Sequence, residues 1–102
     1  YIYMLRCTDN SIYTGISTDL KRRFEEHLSG GKNGAKYTKS RMPVRIERAW
    51  SSPDRSSASK LESALKKLPK AKKEEIILFP EKIYFIFNDK LNCKVYNIVV
   101  VF

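Results

Sequence analysis

The sequence predicts one small α/β (α+β) domain, in which a small, mainly antiparallel three-stranded sheet is flanked by helices. Three observations support this fold class. The length of 102 residues suits a single domain. Hydrophobic residues make up 42% of the chain, which is enough for one modest core and argues against a wholly disordered protein. The predicted elements follow the order strand, strand, helix, strand, helix, helix, with a strand-like C-terminal tail after them.

The first two predicted strands form a hairpin. The aromatic and aliphatic run 1–7 (YIYMLRC) predicts a buried strand, and 12–16 (IYTGI) predicts a second one. The polar residues 8–11 between them are typical of a turn, so the sheet is at least partly antiparallel. Gly15 is unexpected inside a strand, where glycine often marks a close approach of another group to the backbone.

Three apolar residues that recur every four positions predict the first helix: Leu20, Phe24 and Leu28. Thr18 is the expected N-cap, and the pair Gly30 and Gly31 is expected to end the helix. The polar, basic segment 32–42 that follows is predicted to be a loop.

The second half of the chain predicts one more strand and two helices. Apolar and charged residues alternate at the start of 44–50 (VRIERAW), which predicts the third strand. A second helix is expected to be capped by Ser56 and Ser57 and to end at Pro69, and a third helix is expected over 70–79. In the tail that follows, two segments are strand-like: 83–87 and 93–102.

The charge distribution favours a polyanionic partner, with nucleic acid as the first expectation. The formal net charge is +9, and segment 32–73 holds 13 of the 20 basic residues but only three acids: Glu47, Asp54 and Glu62. Within this segment, the loop offers one aromatic and four basic side chains for contact with a phosphate backbone: Lys32, Lys36, Tyr37, Lys39 and Arg41. A solvated loop without a ligand is the alternative.

The small number of cysteines and histidines limits the kinds of metal site. Cys7, Cys93 and one histidine provide too few ligands for most zinc sites, so a hard cation bound by oxygen, such as Mg²⁺, is expected instead. The sequence shows no signal-peptide pattern and no apolar run of membrane-spanning length. With two cysteines that look unpaired, we expect a cytoplasmic protein without a membrane partner.

Two pairs of residues are candidates for catalysis. Tyr3 and Tyr13 lie on the two arms of the predicted hairpin, and a phenol can donate or accept a hydrogen bond or act as a base. Arg23 and His27 are four residues apart and share a helix face, where arginine can hold a phosphate and histidine can relay a proton. The alternatives are packed strand tyrosines, a solvated basic turn and a structural histidine.

Glu62 is the candidate metal ligand. It lies on the second predicted helix among Lys60, Lys66 and Lys67, so it is an acid within a basic surface. A carboxylate in that setting is suited to hold Mg²⁺ against a phosphate. The alternative is a helical ion pair with Lys66, which would contribute at most ~0.5 kcal/mol.

Taken together, these residues resemble the signature of the GIY-YIG endonuclease superfamily. The run 1–3 (YIY) and the run 13–15 (YTG), whose tyrosines are ten residues apart, resemble the two halves of that signature. Tyr1 stands in place of the usual first glycine, and Thr14 in place of the middle isoleucine.

Further elements of the resemblance follow in the expected order. Arg23 and His27 match the family's helix pattern, and Glu62 stands where its metal-binding glutamate is expected. Segment 34–39 (GAKYTK) resembles small stand-alone bacterial members, which are related to excision-repair and junction-cutting nuclease modules. The resemblance covers residues 1–79, the predicted nuclease domain.

The resemblance implies a metal-dependent endonuclease that cuts DNA phosphodiester bonds with one divalent cation, in DNA repair or recombination. It implies that Tyr3 activates the attacking water with support from Tyr13, although the two roles are exchanged in some members. It further implies that Arg23 binds the scissile phosphate, His27 assists, and Glu62 holds Mg²⁺ or Mn²⁺.

Three departures from the family keep a second function open. Ile16 stands where some members have a lysine, and segment 63–75 lacks the asparagine that some members carry after the metal-binding glutamate. Residues 80–102 form a C-terminal extension of unknown role, whose apolar run 95–102 leaves a homodimer or a protein partner open. The alternative function is a catalytically weak nucleic-acid-binding module that retains the fold.

Overall fold

A four-stranded antiparallel sheet forms the centre of the computed structural model, which describes residues 1–29 and 42–101. The strands are β1 (Ile2–Cys7), β2 (Ile12–Ile16), β3 (Pro43–Ser51) and β4 (Asn97–Val99). The helices are α1 (Leu20–Ser29), α2 (Arg55–Lys66), α3 (Lys70–Leu78) and the short α4 (Ile83–Ile86). This architecture confirms the predicted α+β fold class, and a strand from the tail joins the three predicted strands.

The strand order is β2-β1-β3-β4, so β1 and β3 are central. The hairpin pairs Tyr3 with Gly15 and Leu5 with Tyr13, which confirms the predicted antiparallel pairing of β1 and β2. Alternate residues of a strand point to opposite faces, and each face of this sheet packs on a separate apolar cluster.

Helix α1 covers one face, where Leu20 and Phe24 pack with residues of β1 and β3. Helices α2 and α3 cover the other face, where their apolar residues surround Trp50 of β3. The guanidinium of Arg6 joins α3 to the sheet through Glu74, with 2.7 Å between Nη1 and Oε2, and it also forms an ion pair with Glu47.

Both expected helix caps lie on aspartates instead. The Asp19 carboxylate accepts a hydrogen bond from the Arg22 N–H, and α1 begins directly after Asp19 rather than after Thr18. The Asp54 carboxylate accepts from the N–H of Ser57, so α2 begins at Arg55. A carboxylate is as good a cap as a hydroxyl, and it also interacts favourably with the positive end of the helix dipole.

The prediction of a strand over 83–87 is wrong, because these residues form α4 and its C-cap. A helical turn places Ile83 and Phe87 on one face, and both are buried in the cluster beneath α2 together with Cys93 and Tyr96. Only Asn97–Val99 of the predicted second tail strand pairs with β3. The division of the chain after residue 79 stays a prediction.

Candidate functional site

The two signature tyrosines lie on the face of the sheet that α1 covers. Their positions follow from the hairpin register, which brings Tyr3 beside Gly15 and Tyr13 beside Leu5. The centroids of the two tyrosine rings are 6.2 Å apart. His27, in the last turn of α1, packs edge-on against both rings, with its centroid 5.2 Å from that of Tyr13. The sequence-predicted residues Tyr3, Tyr13 and His27 therefore form one aromatic cluster.

A hydrogen bond of 2.8 Å joins the Tyr3 hydroxyl to Nε2 of His27, and both side chains are buried. Burial, and to a smaller extent the charge of Arg23, lowers the pKa of His27 to about 4, so its imidazole is neutral at neutral pH. Burial and the neighbouring Tyr13 raise the pKa of Tyr3 above its ordinary value. Tyr3 is thus a protonated phenol that contacts a neutral histidine.

Arg23 donates a further hydrogen bond to the Tyr3 hydroxyl, which acts against the rise in the pKa of Tyr3. A guanidinium has donors but no acceptor, so the Tyr3 oxygen accepts this bond. Nη1 of Arg23 also lies 3.8 Å from a carboxylate oxygen of Glu26, and about a quarter of the Arg23 side chain is exposed. Arg23 therefore connects the buried cluster to the protein surface, where a substrate can reach it.

Gly15 explains why a glycine occurs in β2. A Cβ atom at this position would lie 2.6 Å from the Tyr3 hydroxyl and 2.9 Å from Cε2 of Tyr13, which is closer than real Cβ contacts. The bare backbone therefore lets both rings approach the strand. The close approach suggested by a glycine in this strand is present, and it involves the two signature tyrosines.

Glu62 reaches the same cluster from α2. Its negative charge is close enough to contribute to the raised pKa of Tyr3, although burial and Tyr13 contribute more. Glu62 also pairs with Lys66, with 3.5 Å between Oε2 and Nζ, and the Lys66 ammonium lies 6.0 Å from the centroid of the Tyr13 ring. The helical ion pair and the proximity to the tyrosines therefore occur together.

The position of Lys66 in this cluster is not one that sequence reasoning found. The sequence predicts Lys66 only as the ion-pair partner of Glu62. The i,i+4 spacing that predicts this pair also places both side chains on one helix face, so any group near Glu62 is also near Lys66.

The Glu62 carboxylate suits a divalent cation whose other ligands are mostly waters and substrate phosphate oxygens. Among residues 1–29 and 42–101, no three His, Cys, Asp or Glu side chains are grouped so that they could hold a metal ion. Mg²⁺ does not need such a group, because it keeps several waters and often binds one or two carboxylates together with substrate phosphates. The Glu62 side chain is 22% exposed, which leaves its carboxylate accessible to such an ion.

The predicted nucleic-acid contacts in the loop cannot be compared with the structure, because all five lie outside the described residues: Lys32, Lys36, Tyr37, Lys39 and Arg41. Their role stays a prediction. No helix in the described parts of the chain has both the length and the apolar character needed to cross a membrane.

Comparison with known proteins gives a family match and curated relatives. Residues 1–75 match the GIY-YIG catalytic domain family. The chain is 56% identical over 81 residues to a UPF0213 protein of Fusobacterium nucleatum, covering 79% of each chain. It is 48% identical over 73 residues to a UPF0213 protein of Xanthomonas axonopodis pv. citri, covering 72% of this chain and 70% of the relative. A UPF0213 protein of Cupriavidus necator is 51% identical over 73 residues, with 72% of this chain and 77% of the relative covered. No solved structure matches the chain significantly.

Proposed function

The chain belongs to the GIY-YIG catalytic domain family, which implies nuclease activity in general, and from this premise we propose that it is a metal-dependent DNA endonuclease. The reaction would hydrolyse a phosphodiester bond with water as the nucleophile and one divalent cation, Mg²⁺ or Mn²⁺. The observation that carries the proposal is the Tyr3 hydroxyl, which contacts both His27 and Arg23 while Glu62 lies within electrostatic reach.

We assign Tyr3 to activating the attacking water. Because burial keeps the phenol protonated, Tyr3 can take a proton from water only while it gives its own proton to another base. Nε2 of His27 is 2.8 Å away and is neutral, so it can accept that proton when the imidazole carries its own hydrogen on Nδ1. The water proton then resides on Tyr3 and the Tyr3 proton on His27. The hydroxide forms a bond to phosphorus, the bond from phosphorus to the leaving sugar oxygen breaks, and that oxygen takes a proton from solvent.

We assign Arg23 to binding the phosphate and stabilising its negative charge, and Tyr13 to orienting the imidazole of His27. The exposed part of the Arg23 guanidinium can donate two hydrogen bonds to the scissile phosphate and stabilise the charge that builds on its oxygens. Tyr13 packs against the imidazole and holds it in the plane that the Tyr3 hydrogen bond requires.

Glu62 is the residue that would hold the cation, with water and phosphate oxygens as the remaining ligands. A bound divalent cation supplies Lewis-acid stabilisation of negative charge on the phosphate. The neighbouring Lys66 adds a second positive charge near that position.

The proposed biological setting is DNA repair or recombination in the cytoplasm. DNA repair or recombination follows from the resemblance to excision-repair and junction-cutting modules. The cytoplasm agrees with Cys7 and Cys93, which are both buried and are not joined by a disulfide. A protein partner or a homodimer through the tail remains an open proposal.

A plasmid-nicking assay tests the function directly. Supercoiled plasmid is incubated with the protein in Mg²⁺, in Mn²⁺ and in excess chelator, and the relaxed and linear forms are counted. We expect nicking with either metal and none in chelator. A protein that binds the plasmid but leaves it intact in both metals would be the catalytically weak binding module instead.

A further inference from the structure

A groove of about 600 Å³ lies between the outer face of α2 and the segment that follows α4. One wall consists of side chains from Ser56 to Leu68, and the other consists of Phe87, Lys90 and Leu91. Its volume lies within the range of about 300–1,000 Å³ that is typical of ligand pockets. The C-terminal segment supplies one wall, so the groove exists only because this segment packs against α2.

Three ammonium groups line the groove, from Lys60, Lys67 and Lys90. None of the three forms an ion pair with a residue of the described chain, and none of the described residues that line the groove is acidic. Lys60 does interact with Asp54 outside the groove lining, because the pKa of Asp54 is lowered by hydrogen bonds from Ser57 and, to a smaller extent, by the charge of Lys60. The groove therefore has a positive charge that the protein itself does not neutralise.

Hydroxyl groups alternate with the lysines along the α2 wall, at Ser56, Ser59 and Ser63. The eight residues from Ser56 to Ser63 span about 10 Å, because an α-helix rises about 1.5 Å per residue step. That length matches roughly three nucleotides of a stacked strand, at about 3.4 Å each. Serine hydroxyls and lysine ammonium groups are both common donors to the phosphate and sugar oxygens of nucleic acid.

The serine edge of the groove lies on the side of α2 nearer to Glu62, and Lys60 and Lys67 lie about 160° and 140° around the helix from it. Successive residues of an α-helix are rotated by about 100°, so Ser59 and Ser63 lie about 60° and 100° around α2 from Glu62. Lys66 lies about 40° from Glu62 in the same direction and contacts the Tyr13 ring. The surface from Glu62 to the groove is thus continuous on one helix.

We propose that this groove binds the sugar-phosphate backbone of the nucleic-acid strand that flanks the scissile bond. This inference rests on the proposed function, because it takes the substrate of the site to be a nucleic acid. An acidic peptide would also meet the positive charge, but one wall of the groove belongs to α2, the helix that carries Glu62, the proposed cation ligand. The strand that leaves the active site therefore meets unpaired ammonium and hydroxyl donors.

The test is a binding measurement in chelator, where no metal-dependent cleavage takes place. The groove variant combines Lys60→Gln, Lys67→Gln and Lys90→Gln, at three exposed positions. The control variant combines Lys21→Gln, Lys72→Gln and Lys94→Gln, which removes the same charge away from the groove. Glu75 keeps Lys82 as an ion-pair partner in the control. Thermal melting followed by circular dichroism verifies that both variants are folded, and the probes are a fluorescent single-stranded 20-mer and fluorescent polyglutamate.

We expect the groove variant to bind the 20-mer about tenfold more weakly than the control variant does. Its slope of log affinity against log salt should also be smaller by about 0.7 for each lost phosphate contact on a single strand. Equal 20-mer affinities for the two variants would overturn the proposal. It would equally be overturned if the groove variant loses affinity for polyglutamate alone, because the occupant would then be an acidic peptide.

These outcomes are separable from the failure of the proposed function. If the wild-type protein binds the 20-mer through the groove but does not nick plasmid, the groove proposal stands and the nuclease proposal fails. If the wild-type protein nicks plasmid and the groove variant binds the 20-mer as well as the control variant does, only the groove proposal fails.

Discussion

The Tyr3 hydroxyl lies against the backbone of Gly15, at a distance of 2.6 Å from the place where a Cβ atom would be. The two residues are cross-strand partners in the hairpin. The missing side chain of Gly15 therefore allows the Tyr3 phenol to lie this close to the sheet, in the position from which its hydroxyl contacts His27.

Gly15→Ala is expected to lower the nicking rate by a larger factor than it lowers the equilibrium constant for folding. The added methyl group must displace the Tyr3 ring and its hydroxyl, and overpacking of this kind costs about 1–3 kcal/mol. Thr14→Ala is the matched control, because Thr14 is the next residue on the opposite face and its buried hydroxyl has no hydrogen-bond partner among the described residues. Nicking rates and melting temperatures are compared, and a Gly15→Ala protein with wild-type activity would contradict the role given to this contact.

Tyr3→Phe is expected to slow nicking by about 10²–10⁴-fold, because it removes the oxygen that carries the water proton. It also leaves the buried Nε2 of His27 without this partner, so we expect a modest loss of stability of about 1 kcal/mol. Tyr13→Phe is the matched comparison and should lose less activity. Single-turnover rates on a labelled duplex measure both variants. A fully active Tyr3→Phe protein would mean that the phenol serves packing alone.

Glu62→Gln is expected to abolish nicking while DNA binding stays the same or becomes tighter. The amide keeps the shape of the side chain but loses the charge that would hold a cation, and Lys66 loses its ion-pair partner. Glu81→Gln removes the same charge from an exposed position outside the site. Both proteins are assayed over a series of Mg²⁺ concentrations. Equal rates at saturating Mg²⁺ would leave Glu62 with the ion pair only.

His27 should make the protein less stable as the pH falls from about 6.5 to about 4. Burial, and to a smaller extent Arg23, lowers the pKa of His27 to about 4 in the folded protein, whereas the unfolded chain has the ordinary value of about 6.5. Between these values the unfolded state binds more protons, so the free energy of unfolding rises with pH, by up to about 3 kcal/mol over the window.

Two measurements check this dependence. His27 is the only histidine in the sequence, so the imidazole signal in an NMR titration belongs to it without further assignment. Urea unfolding across the same pH range should show the slope in the wild type and a reduced slope in His27→Gln. A measured pKa near 6.5 would show that the imidazole is not held neutral by its surroundings.

The sequence by itself identifies the local elements and most of the candidate site. The two strands of the hairpin are predicted by their composition and by the turn between them. Helix α1 is predicted by apolar residues that recur every four positions. Arg23 and His27 share a helix face because of their spacing alone. Each of these inferences depends on residues that are close in the chain, where propensity and periodicity act directly.

Local sequence patterns predict secondary structure less well where the same residues suit two different elements. Segment 83–87 is apolar and short, which suits a buried strand as well as a buried helical turn, and the choice of helix depends on Ile83 and Phe87 packing beneath α2. The caps show the same ambiguity, because Asp19 and Asp54 each stand beside serine or threonine residues that could also cap a helix.

Only the tertiary structure decides how the residues of the candidate site are arranged and which further side chains lie near them. A shift of one residue in the hairpin register would turn Tyr3 and Tyr13 to different partners, and the pairing of Tyr3 with Gly15 is what brings both rings to His27. The position of Glu62 beside this cluster, and the basic groove further around α2, require contacts between segments that are far apart in the chain. Such contacts depend on how whole faces pack together, and no spacing within one segment encodes them.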